Sequence, residues 1–262
     1  MFPYFSIFGH TIPAYSLLSL TGVLLALLYY LRARRHSAFP EADGELVIIY
    51  GVAGAFFGAK PLFLATVLPE FLRDFHFLFS ETEIFLETYL YSGFVFYGGF
   101  YGMLLAAWIY CRHARLDFGE CLRLLFPMIP LFHAFGRIGC FFMGCCYGKK
   151  SSLLGIEFEN SPIAPNHVPL IPVQLFEAAA ELLLFFFTAF SAYRKKNGFF
   201  LLGIWLVAYG LIRFVTEFFR GDDYRGFIGA LSLSQVISIF TAISGVFVLL
   251  YLKKRGTFSK RS

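Results

Sequence analysis

Long apolar stretches alternate with short polar ones along this chain, and most of the apolar stretches are long enough to cross a bilayer. Seven windows stand out, near 14–31, 46–68, 84–111, 122–146, 171–193, 198–220 and 228–252, and the pattern predicts a helix over each. Lipid offers no partner to backbone N–H and C=O groups, so spans of this kind fold as helices, which satisfy those groups internally. The expected architecture is all-α: a polytopic membrane protein of seven transmembrane helices. These helices take up nearly all of residues 1–262, which predicts a single integral membrane domain without a soluble appendage, a low-complexity linker or a fixed-period repeat. No basic residue precedes the first apolar span and no small-residue cleavage site follows it, so it reads as a retained anchor.

Composition supports the membrane reading. Hydrophobic residues make up 58% of the chain and aromatics 20%, with 36 Phe, which excludes an ordinary soluble protein. Charge then gives direction. Arg32, Arg34 and Arg35 follow the first span, and Arg112 and Arg115 the third. Arg194 to Lys196 follow the fifth, and Lys253 to Arg255 with Lys260 and Arg261 the seventh. Every alternate connection is basic, which predicts that these ends face the cytoplasm, with the N-terminus outside and the C-terminus inside. The intervening loops carry Glu70, Asp74, Glu81 and Glu83, or Asp222 and Asp223, or are polar, as at 147–170. The net charge of +5 therefore reflects topology and contact with membrane lipids, and nucleic acid is not an expected partner.

The chemistry lies in the polar residues inside the spans. Arg137 sits with His133 in an apolar run from Leu124 to Met143, where a guanidinium costs at least a few kcal/mol unless it meets a polar or anionic partner. His133, Arg137, Cys140 and Gly144 form one stripe of a helix. The sixth span repeats the pattern with Tyr209, Arg213, Glu217 and Arg220, where Glu217 is placed to neutralise Arg213. Near the start of the fifth span, Gln174, Glu177 and Glu181 share a face, and carboxylates at that depth are expected to pair with the two arginines. Each pairing reads equally as architecture or as catalytic machinery. Gly51, Gly54 and Gly58 point to close helix packing, whereas Phe96-Tyr97-Gly98-Gly99 suggests a broken helix lining a cavity. Tyr15 and Lys60-Pro61 read as rim or interfacial residues. Two submerged cations suggest a site for an anion, of which a lipid phosphate is the commonest at that depth.

These residues resemble a family. The run Gly136-Arg137-Ile138-Gly139-Cys140-Phe141-Phe142-Met143-Gly144-Cys145-Cys146-Tyr147-Gly148 is similar to the signature of the bacterial prolipoprotein diacylglyceryl transferases, which reads Gly-Arg-x-Gly-Asn-Phe, two residues, Gly-Glu, two residues, Gly. The likeness covers most of the chain. Tyr15 resembles the family's first-helix tyrosine and Tyr97-Gly98-Gly99 its His-Gly-Gly. Pro172 to Glu177 is similar to its Pro-x-Gln-Leu-Tyr-Glu. Tyr209, Arg213, Glu217 and Arg220 follow its Tyr-Gly-x-x-Arg-Phe-x-x-Glu-Phe-x-Arg, and Gln235 matches a glutamine of the last helix. Three positions depart from the pattern: Tyr97 replaces the histidine, Cys140 the asparagine and Cys145 the signature glutamate.

The resemblance implies an enzyme of the bacterial plasma membrane with its site on the extracytoplasmic side and no cofactor. It would move the diacylglyceryl group of phosphatidylglycerol to the lipobox cysteine thiol of a prolipoprotein, next to its signal peptide, and release glycerol phosphate. Arg137 and Arg213, with Tyr97 and His133, would then be catalytic. Tyr15, Gly98, Gly99, Cys140, Gly144, Gln174, Glu177, Tyr209, Glu217 and Arg220 would bind substrate. A phosphodiester leaves as a weak base, so charge-assisted hydrogen bonds from the arginines fit its departure. The incoming thiol must lose its proton. Tyr97 is a poor base at neutral pH, so His133 is the substitute the sequence offers.

Cys140, Cys145 and Cys146 admit three readings: packing at the mouth of the site, a disulfide, or metal ligands, the last against the usual zinc spacing. No metal is expected. Alternative functions are a related phospholipid-dependent transferase with a different acceptor, motivated by the three departures, and a lipid-binding or transport protein holding a headgroup with the same arginines.

Overall fold

A computed structural model describes residues 3–7, 9–91, 93–222 and 226–256; the expected charges Asp223, Lys260 and Arg261 lie outside the described residues. The chain is mostly helical. Its helices are α1 (Ala14–Ala33), α2 (Glu41–Thr66), α3 (Leu68–Arg73), α4 (Phe77–Ser80), α5 (Thr82–Leu86), α6 (Phe96–His113), α7 (Phe118–Leu125), α8 (Met128–Met143), α9 (Val173–Tyr193), α10 (Gly198–Glu217) and α11 (Leu233–Arg255). Among the described residues six segments are long and apolar enough to cross a membrane: 14–36, 41–66, 118–143, 173–193, 198–217 and 233–255. Their outward faces carry exposed Leu24, Phe57, Phe186 and Phe247, as helices solvated by lipid tails require.

Two windows differ from the pattern-based expectation. The run 84–111 is not one continuous helix. It divides into α5, a π-helical turn at Glu87–Tyr91 and the 18-residue α6. The break comes before the Gly98-Gly99 pair: Gly93 takes a positive φ of 70°, open to glycine at no steric cost, and Gly98 and Gly99 lie inside α6. The run 122–146 is split into α7 and α8 at Phe126-Pro127, because proline supplies no N–H and pushes the residue before it out of helical geometry. Three short antiparallel hairpins, Tyr4–Ile7 with His10–Pro13, Ile156–Glu157 with Pro169–Leu170, and Phe227–Ile228 with Leu231–Ser232, add β-structure that an all-α reading omits.

The chain forms two compact units, residues 1–38 with 122–262, and residues 39–121. In the first, α1 packs on α8, α8 on α9, α9 on α10, and α10 on α11. Gln235, singled out by resemblance, is used locally: it completes a capping box with Ser232 that satisfies the first donors of α11. In the second, α2 packs along α6 through glycines. A Cβ placed on Gly54 would stand 2.5 Å from the Gly102 carbonyl oxygen, and one on Gly58 would strike Gly98. The two backbones therefore touch, which only glycine permits. Lys60 is buried in this unit, with Nζ donating to the Gly93 carbonyl at 3.3 Å and lying 4.7 Å from the Phe94 ring centre.

Candidate active site

The first unit gathers its charged residues on the inner faces of α8, α9 and α10. Glu177 of α9 is the centre. Its Oε2 lies 2.7 Å from Arg137 Nε of α8 and its Oε1 lies 2.8 Å from Arg213 Nη1 of α10. Arg213 also reaches Glu217 Oε2 at 2.9 Å and donates to Ser234 Oγ at 3.3 Å, and Thr216 Oγ1 donates to Glu177 Oε1 at 2.8 Å. The two guanidiniums thus converge on one carboxylate, as the face of Gln174, Glu177 and Glu181 leads one to expect.

They are not equivalent. Arg213 is held between two carboxylates and a hydroxyl and is 5% exposed. Arg137 meets Glu177 through Nε alone, in a contact too poorly aligned to count as a hydrogen bond. Among the described residues nothing else pairs with it. Its two terminal nitrogens are therefore the donors in this cluster left over for an incoming anion, and Glu177 fixes the direction in which they point.

Deeper in the unit, one turn from Arg137, His133 Nδ1 lies 2.9 Å from Glu181 Oε1, and Trp205 Nε1 donates to Glu181 Oε2 at 3.1 Å. The Tyr209 ring stacks on Trp205 at 4.7 Å and meets His133 edge-on at 5.3 Å. Glu181 therefore pairs with His133 and Trp205, and not with an arginine as expected. Trp205, Thr216 and Ser234 were missed in the sequence. The signal was present for Trp205, since an indole N–H inside an apolar span needs an acceptor. For the two hydroxyls no spacing rule singled them out.

Toward the other end of α8 the chain turns sharply. Gly144 takes a left-handed φ of 75°, with Gly144 N donating to the Phe141 carbonyl and Cys145 N to the Cys140 carbonyl, both at 3.1 Å. This is a Schellman ending, and it folds Cys145 back over Cys140. Gln174 Nε2 holds the turn by donating to the Cys145 carbonyl at 2.7 Å, while its buried Oε1 has no hydrogen-bond partner among the described residues. Tyr15 packs against Gly139, where a Cβ would stand 3.0 Å from the Tyr15 ring. Cys146 follows with φ of 60°, unusual for a residue with a Cβ. Cys140, Cys145 and Cys146 are all free thiols, so the disulfide reading is not realised. Hydrogen bonding from Cys140 and Cys145, with Arg137 and Arg220 nearby, lowers the Cys146 thiol below its ordinary value against the opposing effect of burial.

The connection 147–172 closes over this turn. Gly148 N donates to the Ile171 carbonyl, Lys149 N to the Phe219 carbonyl and Gly221 N to the Tyr147 carbonyl. Phe158, Ala164 and Leu170 form a small core against Phe141, and Ser161 Oγ donates to the Met143 carbonyl at 3.1 Å. Arg220 sits in this seam, buried and clamped by both oxygens of Asp222 at 2.9 and 2.5 Å. Tyr97, Gly98 and Gly99 belong to the second unit. There Tyr97 is buried, Gly98 abuts Gly58, and Gly99 faces Ala55 and Ala59.

The profile of the prolipoprotein diacylglyceryl transferases matches residues 3–251. The chain belongs to this family. It is 34% identical to the phosphatidylglycerol--prolipoprotein diacylglyceryl transferase of Clostridium tetani over 93% of its own length and 94% of that protein. It is 31% identical to the second such transferase of Clostridium perfringens over 95% and 94%. The Cupriavidus metallidurans transferase of the same name is 32% identical over 92% and 89%. The Arg137–Glu177–Arg213 cluster lies within the matched span of this multi-pass membrane protein.

Proposed function

We propose that this enzyme transfers the diacylglyceryl group of phosphatidylglycerol to the lipobox cysteine thiol of prolipoproteins, releasing glycerol phosphate. The observation that carries the reading is the convergence of Arg137 and Arg213 on Glu177, with the terminal nitrogens of Arg137 left over. A headgroup phosphate fits those donors as a bidentate partner. Arg213 and Thr216 hold Glu177, and Glu177 aims Arg137, so one arginine binds the phosphate and the other positions. As the carbon–oxygen bond to the phosphate breaks, negative charge grows on the departing oxygen beside a fixed guanidinium in a water-poor setting, where such stabilisation is worth most.

His133, engaged by Glu181 and the Tyr209 ring, supports the cluster from below. The readout for that role is His133→Gln: full transfer is expected, and a fall in rate with unchanged lipid binding would make His133 the base instead. In the same reading α6 supplies a seventh span, its 18 residues covering about 27 Å. Basic ends at Arg32–Arg35, Arg112–Arg115, Arg194–Lys196 and Lys253–Arg255 face the cytoplasm, and the Gly144 turn faces outward, toward the signal peptide and the outer-leaflet lipid.

The test is direct. Detergent-purified protein is incubated with phosphatidylglycerol and a lipobox peptide. The wild type should give the thioether product and free glycerol phosphate, and Arg137→Ala should give neither. Lipid bound and recovered intact, with no glycerol phosphate released, would make the protein a carrier.

A further inference from the structure

The three thiols at the end of α8 lie outside the ion pairs of Arg137, Glu177, Arg213 and Glu217. Their Sγ atoms lie within 4.8 Å of one another. Sequence spacing argues against a metal site, because Cys145 and Cys146 are adjacent and Cys140 is five residues away. The backbone removes that objection. The Schellman turn at Gly144 brings Cys145 over Cys140, and the positive φ of Cys146 turns its side chain into the same space. Three sulfurs of a tetrahedral zinc site, each about 2.3 Å from the metal, stand roughly 3.8 Å apart, so closure asks for movements of about 1 Å. A zinc ion with three thiolates carries one net negative charge, and Arg137 and Arg220 lie within electrostatic reach of Cys146.

We infer that Cys140, Cys145 and Cys146 bind a zinc ion whose fourth position takes the acceptor thiol as a thiolate. The inference deepens the proposed function and rests on its acceptor being a thiol. Three protein ligands with an open fourth place are the pattern of catalytic rather than structural zinc. Alkylation of sulfur needs the thiolate, and coordination to a metal supplies it at neutral pH without a protein base.

The balance is simple. The acceptor R–SH binds zinc and gives its proton to water. A sulfur lone pair then attacks the terminal glyceryl carbon of the donor lipid, forming C–S as C–O breaks. The bonding pair leaves on the phosphate oxygen of glycerol phosphate. The thioether is a poorer ligand than the thiolate and departs, and water returns to the metal. This arrangement accounts for two of the departures from the family pattern, Cys140 and Cys145, within one site.

The experiment uses the full chain, purified without chelator. One zinc per chain is expected by elemental analysis. Replacement by cobalt should give thiolate-to-cobalt charge-transfer absorption, lost in Cys146→Ser and in Cys140→Asn; the second restores the residue the family carries and guards against a folding artefact. A lipobox peptide should alter the cobalt spectrum, and the same peptide with serine for cysteine should not. Stripping the metal should lower thioether formation about 100-fold, with activity returning at one equivalent of zinc. Absence of bound metal, a disulfide between any two of these cysteines, a cobalt spectrum indifferent to the peptide thiol, or equal transfer by stripped and loaded protein would each overturn the inference. If neither form makes thioether while the peptide thiol still shifts the cobalt spectrum, the transferase reading fails and the metal site stands.

Discussion

Glu177 separates two cations that would otherwise face each other in a buried setting, and this fixes what its removal does. Glu177→Gln leaves two guanidiniums without their shared counter-charge. Loss of one partner from a buried pair costs about 3–5 kcal/mol, so the variant should melt well below the wild type in detergent and show little activity. The two arginines should then part company. Arg137→Lys keeps the charge and loses the planar pair of donors, which predicts a fall in transfer rate of about 100- to 1000-fold with a near-normal melting temperature. Arg213→Lys disturbs two carboxylates and Ser234 at once, and should lower the melting temperature first. A thermal-shift series beside the peptide assay reads both. Equal effects of the two substitutions on rate, with unchanged melting, would mean that both arginines touch the phosphate.

At the level of elements, close approach and turn chemistry decide more than hydrophobic pattern does. The α2–α6 contact depends on Gly54, Gly58, Gly98 and Gly102 lacking side chains. Gly58→Leu should separate these helices and lower expression and melting temperature, since its Cβ meets the Gly98 backbone, which cannot step aside. Gly136, with open space around its Cβ position, is the matched control: Gly136→Ala should leave stability within about 0.5 kcal/mol.

Much of this was legible in advance. The positions of α1, α2, α9, α10 and α11 follow from apolar runs. The pairing of Glu177 with Arg137, and of Glu217 with Arg213, follows from helical spacing and the cost of a lone charge in lipid. What escaped was non-local or conformational. Glu181 finds His133 and Trp205 because of helix rotation, which spacing along one helix does not reveal. The meeting of three thiols depends on two left-handed residues, Gly144 and Cys146, of which only the glycine announces itself.

On the scale of the whole chain, the proposed orientation, with the basic connections in the cytoplasm, makes a prediction about which loops cross the membrane. Residues 147–172 are stitched to the end of α10 by two backbone hydrogen bonds, Lys149 N to the Phe219 carbonyl and Gly221 N to the Tyr147 carbonyl, with Ser161 pinned to the end of α8. The turn after α9, by contrast, carries Arg194, Lys195 and Lys196 in succession. Cytoplasmic loops retain basic residues because translocating them is unfavourable, so alkaline phosphatase fused after Ser152 should be active in a bacterial host and one fused after Lys196 inactive. The opposite pair of activities would place the Arg137 cluster nearer the cytoplasmic leaflet. The donor lipid and the acceptor thiol would then have to arrive from that side, and the thiol cluster would sit in a reducing compartment where a disulfide has no place. Replacing Arg194, Lys195 and Lys196 with glutamine supplies the internal check. If positive charge sets the orientation, that variant should weaken the asymmetry between the two fusions while leaving the ion pairs of α8, α9 and α10 untouched.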